Sequence, residues 1–262
     1  MADYKFDTFY YIEDQSDEHY LSEIEEISDD EYNTKYKGKM YCPFCKGPQL
    51  LLVKNAGISY LRTYPKQLHI LVEGEMCPYE CKTASKKMVE DYIKELRNKK
   101  KIQSLLEAIM RRLLKQETAH TKVTDIKLDT LNNPLIINSH SKDGQSKKSI
   151  IPHYSFKNWG KNVLQGQLLI VYGKVYVDLI EKEYTDDSEK VRKQIYIHFK
   201  DINSRKLITS CRKPEELKIS KGNYYVVILG SCHPREVNKQ IYYNLSINSP
   251  IEESILFKPF AQ

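Results

Sequence analysis

The fold is decided by residues 163–184, VLQGQLLIVYGKVYVDLIEKEY, where apolar residues recur at every second position. Side chains on one side of such an extended chain are apolar, and those on the other side are aromatic or charged. The apolar set is Val171, Val175, Val177 and Leu179, and the other set is Tyr172, Lys174, Tyr176 and Asp178. This alternation is typical of an antiparallel strand with one face in the core and the other in water.

Four shorter runs with the character of strands follow along the chain. They are KQIYIHFK (193–200), RKLITSCR (205–212), NYYVVILGS (223–231) and KQIYYNLSIN (239–248). In the first run Ile195, Ile197 and Phe199 alternate with polar residues, so we expect these three side chains to face the core. Residues 161–262 are therefore predicted to form an antiparallel sheet domain.

The order of these strands resembles that of an OB-fold barrel. The matching features are a long first strand bent near Gly166 or Gly173, a strand pair, the short segment PEELKISKGN (214–223) and two closing strands. OB-folds bind oligonucleotides or oligosaccharides on the face of their second and third strands. The resemblance implies a ligand-binding face on this part of the chain.

The side of the strands predicted to face water is rich in tyrosine and basic residues. Bases stack on aromatic rings for about 1–3 kcal/mol each, and lysine and arginine bind phosphates. The candidate nucleic-acid-binding residues are Tyr172, Lys174, Tyr176, Tyr196, His198, Lys200, Arg205, Lys206 and Arg212. Two alternatives stay open, because tyrosine is common on antiparallel sheets through cross-strand packing, and barrels of this type also dock proteins.

Four of the six cysteines form two close pairs, 42-CPFC-45 and 77-CPYEC-81. Two cysteines separated by two residues can both reach one zinc ion, and the proline after the first cysteine suits a tight turn. We therefore predict a structural zinc ion held by Cys42, Cys45, Cys77 and Cys81. The second pair is one residue wider than usual, and His69, between the pairs, could replace one cysteine. The alternative is a set of buried thiols without a metal.

The cysteine-bearing region resembles a zinc ribbon. The segments CPFCKGP (42–48), LRTYPKQLH (61–69) and CPYEC (77–81) also resemble the N-terminal zinc-binding region of CoiA-like competence proteins. Such proteins would be expected to carry a nuclease core of acidic residues and lysine downstream, and no such core is recognisable in this sequence. The resemblance implies a zinc site and leaves a CoiA-like nuclease as an alternative function.

The net charge of +6 is unevenly distributed along the 262 residues. Residues 1–40 contain 4 Lys and 12 Asp plus Glu, a net charge of −8, so the remainder carries +14. The basic part suggests a polyanionic partner. The acidic part is predicted to be an arm that folds back on the basic surface, recruits a basic protein partner, or is simply solvated.

Residues 83–118 show the three-and-four spacing of apolar residues that predicts helix. The spacing is interrupted at RNKKK (97–101), which predicts two helices or one long helix with a soft middle. Residues 86–115 contain 10 basic and 4 acidic residues. This charge suits contact with phosphates and equally suits the solvated side of a packed helix.

The fold class predicted from these patterns is α+β, with a small zinc-ribbon region and a basic helical segment followed by an antiparallel OB-like barrel. The predicted domains are an acidic arm (1–40), a zinc-ribbon and helical domain (41–118), a linker (119–160) and an OB-fold-like domain (161–262).

Composition and motifs narrow the function classes. No run approaches about 18 consecutive apolar residues, so no membrane helix is expected. The N-terminus lacks the basic start and apolar run of a secretory signal, so a reducing, cytoplasmic location is expected. Neither a P-loop, a nucleophile elbow nor an HExxH motif is present, so catalysis is not the expected function. The abundance of Lys, Ile, Asn and Tyr fits an A/T-rich bacterial genome.

The predicted function is a zinc-containing, non-catalytic protein that binds single-stranded DNA or RNA. It would be accessory to replication, recombination, a mobile element or a defence system. A protein–protein adaptor in such a system, with the acidic arm as one docking site, is the remaining alternative.

Overall fold

The computed structural model describes residues 6–55, 57–70, 77–98, 100–113, 134–140, 146–160, 162–185, 190–214, 217–237, 239–247 and 254–260. The chain divides into two compact units. Unit 1 comprises residues 1–92 and 117–153, and unit 2 comprises residues 93–116 and 154–262. The predicted acidic arm and cysteine region thus belong to one unit, together with part of the predicted linker.

Unit 1 begins with a small antiparallel sheet formed largely by the acidic segment. Its strands are β1 (Thr8–Tyr11), β2 (Ser16–Tyr20) and β3 (Met40–Tyr41), in the order β2-β1-β3. Between β2 and β3 lie the helical turn α1 (Asp29–Glu31) and a π-helical turn (Tyr32–Tyr36). Phe6, Phe9, Leu21 and Ile24 are buried. Residues 6–40 are therefore folded into the unit, because apolar side chains spaced among the carboxylates have a core to enter.

Two further sheets complete the strands of unit 1. Strands β4 (Leu50–Asn55) and β5 (Ile58–Thr63) form a hairpin. Strand β6 (Lys82–Thr83) runs parallel to β8 (Ser146–Ile150), and β8 pairs antiparallel with β7 (Ile136–His140). The predicted linker (119–160) is therefore wrong over residues 134–140 and 146–160. These residues pair with distant strands and bury apolar side chains such as Leu135 and Ile150.

The helical segment forms two helices, α2 (Lys86–Asn98) and α3 (Ile102–Leu113), on either side of the predicted interruption. The Ser85 Oγ accepts a hydrogen bond from the Met88 amide (3.4 Å) at the start of α2. The buried face of α3 consists of Ile102, Leu105, Leu106, Ile109 and Met110. Among the described residues, no helix has the length and apolar character needed to cross a membrane.

Unit 2 is organised around strand β10 (Leu168–Thr185), the segment that the alternation identified. The other strands are β9 (His153–Ser155), β11 (Val191–Lys200), β12 (Leu207–Arg212), β13 (Gly222–Val237), β14 (Gln240–Ile247) and β15 (Ile255–Pro259). The main path of the sheet is β12-β11-β10-β13-β14, and all of these neighbours are antiparallel. Strand β15 adds to β13, and β9 adds to β10.

The sheet curls until its two outermost strands approach each other. The Thr209 Oγ1 in β12 and the Trp159 Nε1 both donate hydrogen bonds to the carbonyl oxygen of Tyr243 in β14, at 2.9 and 2.8 Å. At Gly173 (φ +155°), a Cβ atom would lie 3.3 Å from the Phe156 ring. The glycine predicted to bend the first strand thus lets Phe156 pack against it, inside the curl.

The core of unit 2 lies on the concave side of the curled sheet. Alternate residues of the strands meet there, including Val175 and Val177 of β10 and Ile197 and Phe199 of β11. The Phe199 ring stacks on Phe156 at 5.0 Å between centroids. Ile195 departs from its predicted core position and is 37% exposed. It pairs with Glu181, where β10 and β11 continue as a two-stranded ribbon beyond the core.

The mixed α+β class, dominated by strands and including a curled antiparallel sheet, is thereby confirmed.

Candidate functional site

Three of the predicted cysteine ligands and one histidine converge in unit 1. The ligand atoms of Cys42, Cys45, His69 and Cys77 all lie within 4.8 Å of one another. The Cys42 and Cys77 sulfurs are 3.6 Å apart, and the Cys45 sulfur is 3.3 Å from the His69 Nδ1. The two halves of the cluster come from a turn after β3 and from the segments that follow β5.

The first cysteine pair sits in a tight knuckle. The Cys42 amide donates to the Pro48 carbonyl, and the Lys46 amide donates to the Cys42 carbonyl, both at 2.9 Å. The amides of Gly47 and Ile70 point at the Cys45 sulfur. A Cβ atom on Gly47 would lie 3.3 Å from the Ile70 side chain, so glycine at this position lets residue 70 approach the sulfur.

Cys81 is not a member of this cluster, and His69 takes the place that we predicted for it. The reason lies in the wider spacing of the second pair. Cys77 precedes a 3₁₀ turn, Pro78–Glu80, in which the Cys81 amide donates to the Pro78 carbonyl (3.1 Å). The turn ends at Cys81, directly before β6, and Cys81 is buried but is not one of the four residues whose ligand atoms converge.

Three thiol groups and one imidazole fit a zinc ion. This donor set is among the common structural zinc sites. Tetrahedral geometry with the usual zinc–sulfur and zinc–nitrogen bond lengths requires about 3.8 Å between two sulfurs and about 3.6 Å between sulfur and nitrogen. The observed separations of 3.6 and 3.3 Å are close to these values. The structure therefore provides a site that could hold a metal ion.

The four side chains of the cluster differ in how readily they lose a proton. Hydrogen bonding with Cys42 lowers the pKa of Cys45 to about 4 and that of Cys77 to about 6. Burial raises the pKa of Cys42. Burial lowers the pKa of His69, but hydrogen bonds with Cys77 and Cys45 outweigh it and leave the pKa raised. Cys45 and Cys77 therefore lose their protons readily, as metal ligands must, whereas Cys42 and His69 would each have to lose a proton when a metal ion binds.

An aromatic stack from the acidic segment packs against this cluster. The Phe6 ring lies 4.7 Å from the Tyr79 ring and 6.1 Å from the His69 ring, nearly parallel to both. The backbone of Phe6 also forms an isolated antiparallel β-bridge with Leu61 of β5. The start of the described chain thus closes one side of the candidate metal centre.

A second candidate site is the convex face of the β10–β11–β12 part of the sheet in unit 2. Register pairs Tyr176 with Lys200, Asp178 with His198, and Ile180 with Tyr196. Residues with side chains on this face or in its turn are exposed (Lys174, Arg205, Lys206, Arg212) or half-buried (Tyr176, Tyr196, His198, Lys200). We call these residues, with Asp178, Lys182, Lys221 and Tyr225, the outer face.

Tyr172 does not belong to the outer face, although we predicted that its side chain faces water. Only 4% of it is exposed. It pairs with Val227 of β13, and β13 is the strand against which helix α3 packs. The first half of β10 is therefore buried on both sides, and its alternation does not reveal a solvated face.

Aromatic rings on the outer face are each covered by a cation. Within the described part of unit 2 there are three such pairs. The Arg205 guanidinium lies 3.8 Å from the Tyr176 ring centroid, the Lys182 Nζ lies 5.3 Å from that of Tyr196, and the Lys174 Nζ lies 5.6 Å from that of Tyr225. Separations below about 6 Å are typical of cation–π attraction.

Asp178, at the middle of the outer face, binds two lysines. Its carboxylate oxygens lie 2.7 Å from the Lys200 Nζ and 2.8 Å from the Lys221 Nζ. Hydrogen bonds from these two ammonium groups lower the pKa of Asp178. For the neighbouring His198, burial and then the charges of Lys182 and Lys200 lower the pKa. His198 is therefore neutral at pH 7 and offers a hydrogen bond, not a charge.

Sequence reasoning missed three members of this site. Lys182 continues the alternation of Lys174 and Tyr176 by three further steps along β10, and Tyr225 alternates with buried residues in β13. Lys221 precedes β13 and reaches Asp178. The period-two pattern was sufficient to find the first two, whereas the contact of Lys221 depends on how the turn before β13 folds.

Comparison of the chain with models of protein families, with curated proteins and with solved structures finds no match. The zinc-ribbon, CoiA-like and OB-fold resemblances therefore stay predictions from the sequence.

Proposed function

We propose that this protein binds single-stranded nucleic acid on the outer face and holds a structural zinc ion at Cys42, Cys45, His69 and Cys77. The observation that carries the binding proposal is the alternation of aromatic rings and cations over three adjacent strands. Rings supply stacking surfaces for bases, and cations supply partners for phosphates. The protein would act as an accessory factor in replication, recombination, a mobile element or a defence system.

We also propose that unit 2 has an OB-fold. A path of five strands, β12-β11-β10-β13-β14, with β12 and β14 drawn together at Tyr243, corresponds to a five-stranded, partly open barrel. This is the architecture of an OB-fold, whose ligand face is formed by its second and third strands. In this chain those strands are β11 and β12, which carry Tyr196, Lys200 and Arg212.

The proposed role of zinc is to stabilise unit 1. The cluster is formed from segments far apart in the chain, and an ion bound by all four side chains would tie these segments together. Four protein ligands close the coordination sphere, so the ion would not present the open position that catalysis requires.

Fluorescence anisotropy with zinc-loaded, full-length protein tests the proposed function. The probes are labelled single- and double-stranded DNA and RNA of one length, each titrated over a series of salt concentrations. Preferential binding to a single strand, with affinity that falls steeply as salt rises, is the expected result. Flat titrations with all four probes would refute the proposal and direct attention to a protein partner.

A further inference from the structure

The three cation–aromatic pairs on the outer face share one arrangement. In each pair a lysine or arginine side chain from one strand or turn lies over a tyrosine ring from another: Arg205 over Tyr176, Lys182 over Tyr196, and Lys174 over Tyr225. The free protein thus keeps its stacking surfaces covered by the same groups that would bind phosphate. A base and the cation cannot occupy the same side of one ring.

We infer that each pair is a nucleotide-binding unit in which the cation leaves the ring for a phosphate while a base takes its place on the ring. This inference rests on the proposed function and adds how the outer face engages its ligand. A cation–π contact at an exposed site contributes about 0.5–1 kcal/mol, less than the roughly 1–3 kcal/mol of a base stacked on an aromatic side chain. The exchange is therefore favourable once a phosphate is within reach of the cation.

The spacing of the three rings selects a single strand. Tyr225 and Tyr176 differ by one strand and two residue levels, which places their Cα atoms about 8 Å apart at ordinary sheet dimensions. Tyr176 and Tyr196 differ by one strand and four levels, or about 14 Å. Stacked bases of a duplex advance by only about 3.4 Å, so these rings suit bases that have been separated from one another.

Arg205 is held ready for such an exchange by the turn between β11 and β12. The Asp201 carboxylate accepts hydrogen bonds from the amides of Asn203 (3.0 Å) and Ser204 (2.8 Å), and Arg205 itself has φ +58°. Its guanidinium donates to the Asn223 Oδ1 at 3.4 Å. The turn fixes the base of the side chain, so release from Tyr176 requires rotation of the arginine side chain and loss of its long hydrogen bond to Asn223.

The ribbon beyond the core offers a matched control for the Lys182–Tyr196 pair. Lys182 lies on the outer face, whereas Lys193, on the neighbouring strand of the same ribbon, lies on the opposite face and binds Glu181 at 2.7 Å. Both lysines are exposed. Removal of either one changes the net charge equally, but only Lys182 covers Tyr196.

The test measures salt-dependent binding of an oligothymidine about 12 nucleotides long, within the range of about 4–16 for one OB barrel. Lys182→Ala should reduce the slope of log affinity against log salt by about 0.7, the value for one phosphate on a single strand. Lys193→Ala should leave the slope unchanged. Tyr196→Ala should weaken binding about 5- to 150-fold with no change in slope, and Tyr196→Phe should restore the affinity.

The exchange itself is observed by NMR of the lysine side chains. In the free protein the Lys182 ε-protons should be shifted upfield by the Tyr196 ring, and addition of the oligothymidine should remove this shift while Lys193 stays constant. If the wild type binds but Lys182→Ala and Tyr196→Ala behave like Lys193→Ala, the exchange is refuted and the proposed function stands. If the wild type binds neither the oligothymidine nor any of the four DNA and RNA probes, both are refuted.

Discussion

Replacement of His69 by alanine should abolish tight zinc binding, whereas replacement of Cys81 by alanine should not. The structure brings the His69 Nδ1 to 3.3 Å from the Cys45 sulfur and leaves Cys81 out of the four converging ligands. The two variants therefore separate the cluster seen in the structure from the four-cysteine set that the sequence pattern favours.

The size of the effect follows from the number of ligands. Structural zinc contributes an apparent binding free energy of about 10–16 kcal/mol. An even division among four ligands assigns about 2.5–4 kcal/mol to each, so His69→Ala should weaken zinc binding by roughly 60- to 700-fold. Cys81 is 5% exposed, so Cys81→Ala removes a buried sulfur and lowers stability without removing a ligand.

The assay is a zinc competition titration against a chromophoric chelator, together with metal analysis of the purified variants. We expect one zinc ion per chain in Cys81→Ala and a much weaker site in His69→Ala. Equal zinc affinity of His69→Ala and the wild type, with loss of zinc from Cys81→Ala, would show that the four-cysteine set is correct. The conclusion that the 3₁₀ turn keeps Cys81 out of the metal site would then be refuted.

Three further predictions concern the folded state. Phe199→Ala removes a fully buried ring that stacks on Phe156, so urea titration should show a free energy of unfolding about 3–5 kcal/mol lower than that of the wild type. The control Lys206→Ala removes an exposed side chain and should change this free energy little. Asp178→Asn breaks the ion pairs with Lys200 and Lys221 and should lower the free energy of unfolding by about 1–2 kcal/mol relative to the wild type. Because the folded-state pKa of Asp178 is lowered, this difference should be present above pH ~4 and vanish as the pH falls further; a constant difference would contradict it. Burial lowers the pKa of His19, but Glu23 at 2.8 Å and Asp14 at 2.7 Å outweigh burial and raise the pKa overall. The stability that protonated His19 contributes to the fold should therefore be present below pH ~6.5 and be lost as the pH rises through the raised pKa. Thermal unfolding of the wild type and His19→Gln over this pH range should converge at the alkaline end, and a constant gap would disprove the assignment.

The sheet of unit 2 was predictable because the alternation of apolar and polar residues that indicates each strand lies within that strand. Period-two alternation in residues 171–179 places Val175 and Val177 in the core irrespective of what lies elsewhere in the chain. The same alternation failed at Tyr172, where helix α3, from a separate part of the sequence, covers the second face of the sheet. The alternation also failed at Ile195, because strand β11 extends beyond the core and leaves this side chain partly exposed.

The candidate metal centre was predictable in part for a related reason. The close pair Cys42 and Cys45 forms its own knuckle, so the spacing alone reveals it. The choice between His69 and Cys81 depends on how the chain after β5 returns to the knuckle, and spacing carries no information on that path. Residues 134–160 read as a linker because their strands pair with partners such as β6, more than 50 residues away in the sequence.

The acidic segment shows the limit of charge as a guide to structure. Its net charge of −8 suggests an arm, yet Phe6 and Phe9 enter the core of unit 1. A few apolar side chains outweigh many carboxylates, because carboxylates such as Glu13, Asp14 and Asp29 remain exposed to water while the apolar side chains are buried.

Photo-crosslinking determines whether single-stranded nucleic acid contacts the outer face. Full-length, zinc-loaded protein is irradiated with oligothymidine, and the crosslinked peptides are located by mass spectrometry. We predict crosslinks at Tyr176, Tyr196 and Tyr225, which lie on three adjacent strands of the sheet. Crosslinks confined to the basic helices α2 and α3, with none on the outer face, would contradict the proposed function.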